Sequence, residues 1–358
     1  MKVLVISAMY PTTDDPTYGI YVQETVENLR KHQNVQSTVI ASMTTGRGVI
    51  AFFKYIDVTL RCLYYIMRGK FDIIHAHYVL PAGLIALFPK YIRRKKLVIT
   101  AHGSDINILP QRNVILWYLT RFVLRRADGV IAVSEHLYGR ITNDFGIEKE
   151  KVSVISCGVD PALFKPMDKI LCRDILSLDA QKFIVFHLSG LDPVKRVDLL
   201  VNGFKLARER LGSTLLVIGG TGKQKSKLMN MVNQLGIDDY VIFTGFINKN
   251  DVPAWMNASD VFVLTSESEG TPVTLLEALA VGTNVVVSKV GGIPEVVGNL
   301  GIVIEKPTPE KVAEALICYY KDPKRYNFRN RIKNAESYHW SRISEKIADV
   351  YADVTDAR

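Results

Sequence analysis

An α/β protein built from two doubly wound parallel-sheet domains is what this sequence predicts, on three observations. Short runs rich in Val and Ile carry no polar alternation, as strands buried on both faces do. Segments with helical spacing lie between those runs. The alternation proceeds through the first half of the chain and then begins again in the second.

The first half supplies KVLVIS, STVIAS, DIIHAH, KLVITAHG, GVIAVS and VSVISCG as strands, with YVQETVENLRKH as a helix after the first. The second half supplies FIVFHLSG, TLLVIGG, YVIFTGF, VFVLTS and NVVVSKVGG. Pro161 and Pro166 flank a polar turn in DPALFKPMDK, which sets the expected domains at residues 1–165 and 166–337. At 358 residues the chain is too long for one ordinary core and suits two.

Apolar residues make up 48% and charged residues 23%, so a globular protein is expected rather than a disordered one. MKVLVISAMYP reads as a first strand ending at a proline, not as a signal peptide. No run of 18 apolar residues is free of charge, so no membrane-spanning helix is expected. Cys62, Cys157, Cys172 and Cys318 are scattered with no CxxC pair, which suits reduced thiols in a cytoplasmic protein. The net charge of +9 is lopsided: residues 1–165 hold 21 basic and 13 acidic side chains, the rest 24 and 23. A basic half of this kind suggests an anionic surface as partner.

In open parallel sheets ligands bind beyond the carboxyl ends of the strands. The positions to inspect are therefore His75, His77, His102 to Asp105, Ser134, Gly190 to Arg196, Gly219 to Lys223 and Glu267 to Pro272. VIGGTGKQ lacks the first glycine and the Ser/Thr of a phosphate loop, so it reads as a glycine turn. His75 and His77 alternate along one strand, and one of the two is expected to face the ligand side. Their spacing is compatible with zinc, but no third ligand is evident, so no metal is expected.

The densest chemistry lies in SESEGTPVTLLEALAVG. VFVLTS is a strand, ESEGT a loop, and Pro272 opens a helix that Gly282 ends. The backbone N–H groups of Val273 and Thr274 are free to hold a diphosphate. Glu277, a turn inside the helix, is placed to accept from paired hydroxyls such as a ribose, and Glu269 to meet the group beyond the phosphates. Either glutamate alone reads as a solvated charge. Both, bracketing a Gly-x-Pro helix start, read as a site.

With these residues in view, the chain resembles the family-4 retaining glycosyltransferases of the GT-B fold, over nearly its whole length. The E-x7-E pattern is Glu269 to Glu277, within EGTPVTLLEALAVGTNVVVSKVGGIPEVV. IIHAHYVLPAG, VITAHGSD, FTGFINKNDVPAWMNASDVFVLTS and SYHWSRISEKIADVY match further blocks, and PTYGIYVQETVENL is similar to transferases of cell-surface polysaccharide assembly. The resemblance implies two Rossmann-like domains facing across a cleft, with a closing helix of about residues 338–358 crossing back onto the first. It gives acceptor binding to the first domain and donor binding to the second. It assigns Glu277 to the donor's ribose, Glu269 to its sugar, Lys195 to the diphosphate, His102 to the sugar's 6-position and Gly19 to a loop over the phosphates. Glu269, His102 and Lys195 form the implied catalytic group. Gly19, Gly190, Lys195, Arg196, Phe246, Gly270, Thr271, Pro272, Val273, Thr274 and Glu277 form the donor-binding set.

Three positions depart from the family pattern. Gly190-Leu191-Asp192 stands where an arginine is usual, leaving Arg196 to share the diphosphate charge; Ser156-Cys157 replaces Pro-Asn, and Asn284 replaces a proline. The implied function is transfer of a sugar from a nucleotide-diphosphate sugar, a UDP-sugar by expectation, to a glycan or lipid-linked glycan. No cofactor is implied beyond the donor, which is a substrate. The alternatives are a nucleotide-sugar epimerase on the same fold and a non-catalytic nucleotide-sugar-binding scaffold. The basic excess sits in MRGK, PKYIRRKK and LWYLTRFVLRRADG. The last interleaves Trp117, Tyr118, Phe122 and Val123 with Arg121, Arg125 and Arg126. It reads either as a core helix with a solvated basic rim or as a docking face for an anionic inner leaflet. No nucleic-acid motif accompanies the charge.

Overall fold

The computed structural model describes residues 1–12, 18–41, 58–62, 64, 65, 67 and 69–356. Pro16 and Thr17 of the PTYG segment, Arg68 of MRGK and the last two residues of the closing segment lie outside the described residues. The chain divides into two compact units, Met1–Gly158 with Trp340–Arg358, and Val159–His339. The division falls seven residues before the proline turn, because Val159 N–H donates to the Tyr338 carbonyl at 2.8 Å and is thereby tied to the second unit.

The first unit is a six-stranded parallel sheet in the order β2-β1-β3-β4-β5-β6. Its strands are β1 Lys2–Ser7, β2 Gln36–Ala41, β3 Ile73–His77, β4 Lys96–Ala101, β5 Gly129–Ala132 and β6 Val152–Val154. Side chains alternate between two buried layers. Leu4, Ile6, Ile74, Leu97 and Ile99 enter one layer, with Ala86, Val123 and Leu124 from the Leu84–Arg93 and Val114–Arg126 helices. Val3, Val5, Ile73, Val98 and Ile131 enter the other, with Val22 and Leu29 of the Ile20–Gln33 helix. Ile343, Ile347, Tyr351 and Val354 complete that second layer from the Trp340–Asp356 helix, their three- and four-residue spacing giving one apolar stripe. Gly158 is where Trp340 seats: a Cβ there would lie 2.3 Å from the indole.

The second unit holds β7 Phe183–Leu188, β8 Thr214–Gly219, β9 Val241–Gly245, β10 Val261–Leu264, β11 Asn284–Ser288 and β12 Ile302–Ile304. They form a parallel sheet in the order β12-β11-β10-β7-β8-β9. Counted within the unit, this is the 3-2-1-4-5-6 arrangement of dinucleotide-binding sheets, read from the other edge. The strand order, not the strand direction, reverses between β7 and β10, and sheets of this kind bind ligands in the crevice at that switch point. β12 was not expected from the sequence. No helix among the described residues is long and apolar enough to cross a membrane.

Candidate functional site

The β7 loop carries Gly190, Lys195 and Arg196; the β10 loop carries Glu267, Glu269 and Thr271. Pairing of β7 with β10 brings together loops some seventy residues apart in sequence. They are then stitched to one another. Glu267 N–H donates to the Val194 carbonyl at 2.8 Å, and Thr265 Oγ1 donates to the Arg196 carbonyl at 2.8 Å. On this frame Lys195 Nζ reaches Glu269 Oε1 at 2.7 Å, and Ser266 Oγ donates to the same oxygen at 2.7 Å. The Glu269 side chain is only 10% exposed, so the pair is partly desolvated and its attraction exceeds that of a surface ion pair.

Two glycine turns keep these loops close. Gly291, at φ +52°, lies where a Cβ would come within 2.0 Å of the Glu269 carbonyl oxygen, and Gly292 N–H donates to the Gly270 carbonyl at 2.7 Å. Gly220 and Gly222 of VIGGTGKQ do the same for the β7 loop, pressed against Ser189 and Leu191 backbone. That segment is a packing turn, as its sequence suggests.

Pro272 caps the Val273–Ala280 helix, whose first carbonyl acceptor, Pro272 O, takes the N–H groups of Leu275 and Leu276. The N–H groups of Val273 and Thr274 precede those donors. Glu277 is buried on this helix, and desolvation lifts its carboxyl from 4.5 to about 7, opposed by the charge of Lys249. Lys249 in turn is lowered by its own burial and raised by Glu277. Gly282 ends the segment at φ +83°, with no space for a Cβ beside Phe328.

Arg196 stands apart from Lys195. Its left-handed backbone, φ 47°, turns the guanidinium onto Asp198 at 3.0 Å and Glu267 at 2.5 Å, which raise its pKa further. It lines a cavity of about 160 Å³ with Asp198, Gln224 and Lys227. Gly190 and Phe246 are exposed at the ends of β7 and β9.

In the first unit, Gly19 closes the β1 loop at φ 72°, where a Cβ would meet Met9 backbone at 2.5 Å. His102 follows β4 in a turn held by the buried Asp105, whose Oδ1 accepts the N–H groups of His102 and Gly103 at 3.0 and 2.9 Å. Its Oδ2 accepts Val79 N–H at 3.0 Å. His102 Nε2 meets His77 Nδ1 at 3.1 Å, and the ring lies 4.5 Å from that of Tyr21 and 4.8 Å from that of Tyr78. Desolvation lowers His102 to about 3, so it is neutral at physiological pH. One expectation is corrected. His75 and His77 face the same side of β3, their rings 4.3 Å apart, because the side-chain period of a strand is two. His75 is spent on Tyr351 and Thr100, at 2.6 and 2.7 Å. Among the described residues no group of three or more His, Cys, Asp or Glu side chains is placed to hold a metal ion.

The sequence profile of glycosyl transferases group 1 matches residues 168–337, and that of glycosyltransferase family 4 matches residues 19–163. N-acetyl-alpha-D-glucosaminyl L-malate synthase of Bacillus anthracis is 30% identical over 292 residues, covering 80% of this chain and 75% of that protein. The chain belongs to the family-4 glycosyltransferases.

This glycosyltransferase is also 27% identical to a GDP-mannose-dependent alpha-(1-6)-phosphatidylinositol monomannoside mannosyltransferase of Mycolicibacterium smegmatis, over 78% of this chain and 75% of that protein. Among solved structures, Anabaena HepE in complex with UDP-glucose superposes with a TM-score of 0.79 at 20% identity, covering 99% of this chain and 100% of that one. At that identity the likeness speaks for the GT-B fold. Sequence reasoning passed over Lys249 and Ser266 of this glycosyltransferase, and it singled out His77 and Asp105 without giving them a partner. The charge of Lys249 acts on Glu277, Ser266 donates to Glu269, and Asp105 and His77 hold His102. Asp105 had a local signal, a carboxylate three residues after His102 able to cap the turn. Lys249 had none, since a lysine in FINKN reads as solvated.

Proposed function

We propose that this glycosyltransferase moves a sugar from a UDP-sugar to a glycan or lipid-linked glycan acceptor, with retention at the anomeric carbon, in cell-surface polysaccharide or glycoconjugate assembly. The observation that carries the reading is the Lys195–Glu269 pair at the β7/β10 crevice, with Glu277 buried a helical turn beyond. Three chemistries stand in a row there: a carboxylate for sugar hydroxyls, a cation with helix N–H groups for a diphosphate, and a buried carboxylate for ribose hydroxyls.

As the bond from the anomeric carbon to the β-phosphate oxygen breaks, negative charge gathers on the diphosphate. Lys195 and the N–H groups of Val273 and Thr274 stabilise that charge. Arg196, forked onto Asp198 and Glu267, contributes little, and the lysine with the helix N–H groups takes the place a divalent cation would fill. The acceptor oxygen bonds to the anomeric carbon on the face the phosphate leaves, and its proton passes to the departing phosphate oxygen. Glu269 orients the sugar. His102, neutral, offers a hydrogen bond without charge.

The mycobacterial relative is named for GDP-mannose and for an alpha-(1-6) linkage. That relative also makes GDP the competing nucleotide, whereas UDP-glucose is what the HepE structure contains. Thermal-shift screening of UDP- and GDP-sugars, followed by transfer assays with EDTA present, tests the reading, since a ligand of the folded site raises the melting temperature by mass action. Release of an epimerised donor, an inverted product by NMR, or a rate abolished by EDTA each overturns it.

A further inference from the structure

The outer surface of the first unit has a feature that sugar transfer does not use. The Leu84–Arg93 and Val114–Arg126 helices bury one face, through Ala86, Leu87, Val123 and Leu124, in the sheet's core. A solvated rim would make their other faces polar, and they are not. Phe88, Tyr91 and Ile92 are exposed at helical spacing on one, and Ile115, Tyr118 and Phe122 on the other. Ile115 is 72% exposed and Tyr118 61%. The two faces are continuous: Arg126 donates to Tyr91 Oη at 3.0 Å while lying over the Phe122 ring at 4.9 Å. Neither helix contains an Asp or Glu, and Arg112, Arg94 and Arg125 are exposed around the apolar residues. Trp117 and Arg121 leave the face, the first stacked on Phe145 and the second donating to the Phe145 carbonyl at 3.0 Å.

We propose that this face docks on the surface of an anionic lipid bilayer, with Phe88, Ile92, Ile115 and Tyr118 entering the headgroup boundary and Arg94, Arg112 and Arg125 meeting lipid phosphates. Apolar tips among exposed arginines, on two helices that carry no Asp or Glu and with Asp128 beyond them paired to Lys90, fit that surface, which offers both an apolar layer and negative charge. A second copy of the chain fits worse, because a twofold contact through this face would oppose arginines to arginines. The docking is independent of which sugar the crevice transfers.

Co-sedimentation of the full chain with vesicles of phosphatidylcholine, with and without phosphatidylglycerol, tests it. The parent binds only the phosphatidylglycerol vesicles and is released by high salt. Ile115→Ser/Tyr118→Ser and Arg112→Glu/Arg125→Glu each lower the bound share about tenfold, while the melting temperature and its rise with nucleotide stay as in the parent. No binding at low salt, equal binding to both vesicle types, or full binding by Ile115→Ser/Tyr118→Ser overturns the proposal. So does a concentration-dependent dimer that Ile115→Ser/Tyr118→Ser disperses. Transfer to a soluble acceptor, measured alongside, fails only if the proposed reaction is wrong.

Discussion

If Glu277 holds the donor's ribose as proposed, nucleotide binding is coupled to pH, and the size of that coupling follows from its environment. Burial raises the carboxyl from 4.5 to about 7 in the unliganded protein, with Lys249 holding it from rising further. Ribose hydroxyls donate to the ionised form, so a bound nucleotide favours loss of the proton. With a pKa of about 7, roughly one molecule in eleven is ionised at pH 6 and about ten in eleven at pH 8. UDP affinity should therefore rise about tenfold between those values, which is about 1.4 kcal/mol. The perturbation is Glu277→Gln, which keeps the shape and removes the titration. The assay is isothermal calorimetry with UDP from pH 6 to 8 in parent and variant, so that ionisation of the diphosphate itself cancels in the comparison. The parent should also release protons on binding near pH 7, seen as a dependence of the heat on the buffer. The variant should bind more weakly at pH 8 and lose the extra slope. Identical slopes and affinities in the two proteins would refute the argument.

The same titration bears on stability, with the opposite sign. Between 4.5 and about 7 the folded chain holds a proton that the unfolded chain has lost, so stability falls as pH rises through that window and is level above it. Unliganded Glu277→Gln should then exceed the parent at pH 8 by about 3 kcal/mol in urea denaturation, and by nothing near pH 4. Glu269→Ala should leave UDP affinity nearly intact and lower kcat by about 10²–10³, whereas Lys195→Ala should weaken UDP binding and turnover together. Gly291→Ala, facing a 2.0 Å approach to the Glu269 carbonyl at a left-handed φ, should displace the Glu269 loop. Its signature is a kcat loss larger than its stability loss of about 1–3 kcal/mol.

The strands that the sequence reveals are short runs rich in Val and Ile, whether buried like Val261–Leu264 or partly exposed like Val241–Gly245, and the exception has a physical reason. Ile302–Ile304, paired with β11 at the sheet's edge, is three apolar residues cut off by Gly301 and Glu305, too short a run to stand out from a loop. Local chemistry was legible in the same way. A proline opening a helix, a glycine ending it and two carboxylates around its mouth are all constraints within one turn of chain. Arg196 shows the limit of neighbour reasoning. Its place beside Lys195 suggests shared charge, but a left-handed φ and the carboxylate of Asp198 two residues on send it elsewhere.

Partners from other strands left no trace in any local pattern. Nothing in FIVFHLSG or VFVLTS says that these two runs lie side by side, yet their pairing is what brings Lys195 to Glu269. The partial burial of that ion pair follows from this adjacency, and so does its use. An unliganded Lys195 is neutralised by Glu269 and costs little to hold in the crevice. A donor that offers a diphosphate to the lysine and hydroxyls to the carboxylate can take up both groups at once. On the proposed function, the strand order keeps Lys195 and Glu269 paired with each other until a substrate with matching groups separates them.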